Sequence, residues 1–91
     1  MTSYKNMSKD LKAIVDTNRK IVFELFDGRC LLNPSHKSAV IHEIEPKSIR
    51  PTDWWELDNM APLCVNCHDL IHASGAKTYK KVLERLRNES R

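Results

Sequence analysis

The run Cys64-Val65-Asn66-Cys67-His68-Asp69-Leu70-Ile71-His72 constrains this chain more than any other stretch. It joins a C-x-x-C knuckle to an H-x-x-x-H pair without sharing a residue between them. Thiolates at that spacing suit a closed tetrahedral zinc site, whereas two imidazoles one helical turn apart suit a second, more open cation. A chain of 91 residues makes one small domain, spanning 1–91, and a domain this small often needs a metal or disulfides for stability. Its three cysteines cannot all pair with one another, so metal ligation in a reducing cytoplasm is expected rather than a disulfide framework.

Organisation follows from punctuation and periodicity. Ser8 is placed to cap a helix running to about Asp27, with Gly28 beyond its end, so the first element is expected over about 8–27. Leu11, Ile14, Val15, Ile21, Val22, Leu25 and Phe26 recur at helical spacing and predict one apolar packing face. Asn33-Pro34-Ser35 marks a turn, and Ala39 to Ile44 reads as a short strand stopped by Pro46. Lys47 to Asp58 reads as a loop containing Trp54 and Trp55, with packing the expected role for at least one of the two. A helix carrying His68 and His72 is expected to end at Ser74-Gly75, and a last helix to span about 78–88. No apolar run approaches the ~20 residues of a membrane span, and the first residues lack the apolar core of a secretion signal.

For the thiolate site, Cys30 offers a third sulfur to Cys64 and Cys67. Asn33 stands where a second C-x-x-C would place its cysteine, which leaves His36 as the best remaining fourth donor; its alternative is a solvated loop histidine. The second constellation is His42, Asn59, His68 and His72. His68 and His72 share a helix face, and His42 approaches from an extended run. Three imidazoles leave open positions for water and phosphate oxygens, as a catalytic cation requires.

His42-Glu43-Ile44-Glu45-Pro46, followed by Asn59 through Cys64, Cys67 and His68 to His72, resembles the HNH endonuclease family over roughly Cys30 to Ser74. The resemblance implies an α+β fold with a ββα-metal core over about 30–74, a hairpin packed on a helix with one divalent cation between them. A flanking N-terminal helix and a basic C-terminal helix complete the expected domain. It implies a phosphodiester hydrolase acting on DNA, double-stranded, with a structural Zn²⁺ and a catalytic Mg²⁺, Mn²⁺, Ni²⁺ or Zn²⁺. His42 falls on a metal position, Asn59 on the residue that positions the hairpin, and His68 and His72 on the helix residues around the cation. Glu43 falls where the family has its general-base histidine. Glu43 is then the base, or it orients His42 or ligates the metal while a histidine is the base, or the site is catalytically dead. Small stand-alone proteins of this kind resemble phage-encoded or mobile-element nucleases of a bacterial cytoplasm, including those that assist genome packaging with a protein partner.

The net charge of +3, from 15 Lys and Arg against 12 Asp and Glu, is compatible with nucleic acid without pointing to it. Lys47, Arg50, Lys80, Lys81 and Arg85 are the expected phosphate-facing cations. A non-catalytic zinc module that binds nucleic acid, and a zinc domain that docks on a protein, are the competing readings. Sequence preference and oligomeric state are open at this level.

Overall fold

The computed structural model describes residues 4–89. After a single 3-10 turn at Tyr4–Asn6, the order is α1 (Lys9–Leu25), β1 (Val40–Glu43), β2 (Met60–Leu63), α2 (Val65–Ser74) and α3 (Ala76–Glu89), with a second 3-10 turn at Leu57–Asn59 before β2. This is an α+β arrangement of three helices and one antiparallel hairpin.

Ser8 caps α1 as expected, its hydroxyl accepting from the Leu11 N–H at 3.2 Å. The helix stops at Phe26, and Asp27 and Gly28 both turn left-handed, with φ of 55° and 66°. The expected apolar face of α1 is wider than the stripe it buries. Val15 and Val22 are buried, with Leu11 and Phe26 packed beside them, whereas Ile14, Ile21 and Leu25 stay exposed because a two-stranded hairpin is too narrow to cover them.

The hairpin pairs Val40 with Leu63, Ile41 with Pro62, His42 with Ala61 and Glu43 with Met60. β2 escapes a local strand reading because it holds a proline. The Ile44 N–H donates to the Asn59 carbonyl at 2.9 Å, so the bonded pairs alternate and Pro62 stands opposite Ile41 in a non-bonded position. Its missing N–H therefore removes no ladder bond, and its carbonyl accepts from the Leu31 N–H at 2.8 Å.

Side-chain alternation divides the hairpin between two cores. Val40, Ile44, Ala61 and Leu63 join Ile71 of α2 and Leu83 of α3, while Ile41 and Met60 join Val15, Val22 and Trp54. Trp54 is fully buried in the second core, and Trp55 meets it edge-to-face at 5.5 Å. Helix α3 starts earlier than the expected 78 because Gly75, at φ 90°, turns the chain directly from α2 into it. No helix among the described residues is long and apolar enough to cross a membrane.

Candidate metal centres

Two donor clusters are set out along α2. At its start, Cys64 is the N-cap residue, its sulfur accepting from the Cys67 N–H at 3.4 Å. Cys30 makes the same local bond with the Asn33 N–H at 3.4 Å. Both cysteines thus sit at the head of a tight turn, although Asn33 rather than a cysteine stands three residues after Cys30. The sulfurs of Cys30, Cys64 and Cys67 lie within 4.8 Å of one another.

The Cys64 thiol is brought down to about 6, first by the Cys67 backbone N–H and next by a hydrogen bond with His36. The Cys67 thiol is pushed up to about 12, first by burial and then by the neighbouring sulfurs. Three sulfurs this close cannot share negative charge without a cation between them, and this donor set fits a metal such as zinc. His36 is held over the cluster by its own turn: its N–H donates to the Asn33 carbonyl at 2.9 Å, and its carbonyl accepts from the Cys30 N–H at 2.9 Å. Its ring Nδ1 lies 3.4 Å from the Asn33 amide nitrogen. His36 therefore stands beside Cys64 but outside the tight three-sulfur group.

Further along α2, His68 and His72 meet His42 of β1, and their ligand nitrogens also fall within 4.8 Å of one another. The His68 and His72 Nε2 atoms are 3.0 Å apart. The rings of all three stand edge-on, with His42 centred 5.6 Å from His68 and 6.2 Å from His72. His42 is buried, and its Nε2 has no hydrogen-bond partner among the described residues. Burial, then the His68 and His72 rings, lower its pKa to about 4; burial likewise lowers that of His68. A buried, neutral imidazole with an orphaned nitrogen among two others is a donor set for a cation. His72 is exposed, so the cluster opens to solvent on that side.

Asn59 lies just behind this hairpin and is 1% exposed. Its Oδ1 accepts from the Glu45 N–H at 2.7 Å, and its amide donates to the carbonyls of Glu45 and Trp54, both at 2.9 Å. It ties the segment following β1 to the segment preceding β2, which fixes where His42 stands.

Glu43 is not brought to the histidines. Alternation sends it to the hairpin face of Ile41, and its carboxylate pairs with the Lys47 amine at 3.4 Å. Lys47 in turn lies over the Trp54 ring at 4.4 Å. The other expected phosphate-facing cations are largely engaged. Arg50 binds Asp53 at 3.0 Å and Asp58 at 3.4 Å, Lys80 binds Glu45 at 3.4 Å, and Arg85 binds Glu89 at 3.7 Å. Lys81 is exposed on α3.

Arg87 is a functional support that the sequence reading passes over. It is buried, donates to the carbonyls of Met60 and Leu57, both at 2.6 Å, and lies 5.1 Å from the Phe26 ring. The available signal is an arginine one turn beyond Leu83 on the apolar stripe of α3.

No family model matches this chain, and comparison with curated proteins and with solved structures finds no match.

Proposed function

We propose that the chain is a small metal-dependent DNA endonuclease of the HNH kind. In this reading β1, β2 and α2 form a ββα-metal core, Cys30, Cys64, Cys67 and His36 hold a structural zinc, and His42, His68 and His72 hold an exchangeable divalent cation. One observation carries it: three imidazoles from a strand and a facing helix converge in a solvent-open cluster, separate from a second cluster of sulfurs. Bound there, a divalent cation supplies charge stabilisation for the phosphoryl oxygens and the leaving 3′ oxygen.

The chain's own residues do the positioning. Asn59 holds the β1 end, and α2 spaces His68 and His72 one turn apart. Glu43, paired with Lys47 on the other face, is a support of the hairpin in this reading and not the general base. DNA, double-stranded, is the substrate proposed, in a bacterial cytoplasm and in a phage or mobile-element setting.

The placement of Glu43 favours a second reading, a zinc-stabilised nucleic-acid-binding module without hydrolysis. Nicking of supercoiled plasmid separates the two. Cleavage with Mg²⁺, Mn²⁺, Ni²⁺ or Zn²⁺ that disappears in His72→Ala supports the nuclease. Absence of cleavage with every cation, by protein that still binds DNA, selects the binding module.

A further inference from the structure

On the α1 side of the hairpin, the face turned away from the histidines, a groove of about 340 Å³ runs between α1 and the segment leading into β1. It is lined by Arg19, Lys20, Phe23, Ser38, Ala39, Val40 and Ile41. Three features of this lining are unusual for a surface that only packs. Phe23 is 47% exposed, and its ring lies over Gly28, where a Cβ would come within 2.9 Å of its Cζ. The Ser38 hydroxyl, in the groove wall, is buried without a hydrogen-bond partner among the described residues. Two cations reach the groove and no carboxylate lines it, in contrast to the adjoining groove across Phe23, where Glu24 and Asp27 offset Arg29 and Lys37.

Arg19 and Lys20 form no ion pair among the described residues; Arg19 lies over the Tyr4 ring at 5.3 Å and keeps its charge. These are also cations that the internal pairing of Arg50, Lys80 and Arg85 leaves available for a polyanion.

We propose that this groove is a subsite for one unpaired nucleotide of a single-stranded nucleic acid. The base stacks on the Phe23 ring, and the backbone phosphates face Arg19 and Lys20. An exposed aromatic beside cations that no carboxylate offsets is the combination by which single strands are held without sequence readout. An acidic peptide would meet the cations but has no comparable use for a ring face standing alone. The groove ends at Ile41, which lies on the hairpin face opposite to His42, so a strand seated here is held apart from the candidate cation site. The inference rests on the nucleic-acid part of the function proposed above but not on hydrolysis.

The test measures binding of the zinc-loaded full chain to a fluorescent oligothymidine, by anisotropy, in the His72→Ala background so that cleavage does not intervene. Phe23→Ala should weaken binding by about tenfold, and Phe23→Tyr should restore it. Lys20→Gln should lower the slope of log affinity against log salt by about 0.7, whereas an unchanged slope would count against a phosphate contact. Lys81→Gln, on exposed α3, controls for general charge. Equal losses in Lys81→Gln and Lys20→Gln, or unchanged affinity in Phe23→Ala with its thermal melt intact, overturns the proposal. Tighter binding of a poly-glutamate peptide than of the oligonucleotide overturns it in favour of a protein partner. Absence of plasmid cleavage by the unsubstituted chain with every cation, together with preserved oligothymidine binding, would remove the nuclease reading and leave the subsite standing.

Discussion

Asn59 shows how much a single buried amide can decide. Its three hydrogen bonds fasten both flanks of the hairpin, and each partner is a backbone group held beside a side chain that is 1% exposed. Asn59→Ala leaves those groups unsatisfied and should destabilise the fold by about 3 kcal/mol, read from a denaturant or thermal melt. A loss below about 1 kcal/mol would mean that the hairpin is fixed by its ladder instead. Glu43 makes the opposite case. Its neighbour His42 is in the cluster, but period-two alternation turns Glu43 to Lys47 and away from it. Glu43→Gln should therefore change divalent-cation affinity, measured by calorimetry, by less than about twofold; the cost is a partly exposed ion pair worth at most about 1 kcal/mol. A tenfold loss of affinity would put the carboxylate back at the site. Residue identities alone made the donors legible, because Cys and His at these spacings have few other uses. They could not tell which face of the strand each donor takes, since that depends on register with β2, itself obscured by Pro62.

At the scale of elements, the helices were legible from caps and period, and their limits were set by backbone geometry rather than by propensity. α1 ends where Asp27 and Gly28 turn left-handed, and Gly28 also accommodates the Phe23 ring. Gly28→Ala asks an alanine to adopt φ of 66° and pushes the Phe23 ring aside; the expected loss is about 1–2 kcal/mol in a thermal melt, with shifted Phe23 ring resonances by NMR. Unmoved ring resonances would show that the glycine is there for its φ alone. α3 illustrates what a helical pattern conceals. Its apolar stripe predicts packing, but Arg87 does more than pack: it satisfies the outward carbonyls of Met60 and Leu57 and so covers the edge of β2. The apolar pattern of α1 misled in the other direction, because sequence period says which residues share a face and says nothing about whether another element is wide enough to cover it.

For the whole molecule, the two clusters have different consequences for stability. The sulfur cluster ties the Cys30 turn, remote in sequence, to the start of α2, and both cysteines lie in the larger core with Leu31, Leu63 and Ile71. The histidine cluster joins β1 to α2 as well, but these are already held together by Ile44, Ala61 and Ile71. A chain of 91 residues buries too little surface to lose a core cross-link lightly, so folding free energy and zinc affinity should be coupled. Two bound ions are therefore expected in native mass spectrometry, with unequal lability. Brief EDTA treatment should remove one ion and leave the far-ultraviolet circular dichroism unchanged, whereas a mercurial that captures thiolates should release the second and unfold the chain. His42→Ala should abolish the labile ion and keep the melt cooperative; Cys67→Ala should lose the inert ion together with the fold. If the ion removed by EDTA is the one whose loss unfolds the chain, or if Cys67→Ala melts like the parent, the assignment of structural and exchangeable roles is reversed or empty. The proposed division of labour rests on position: a metal held by donors inside the core would cross-link it, and one held where the cluster opens at exposed His72 would be free to exchange.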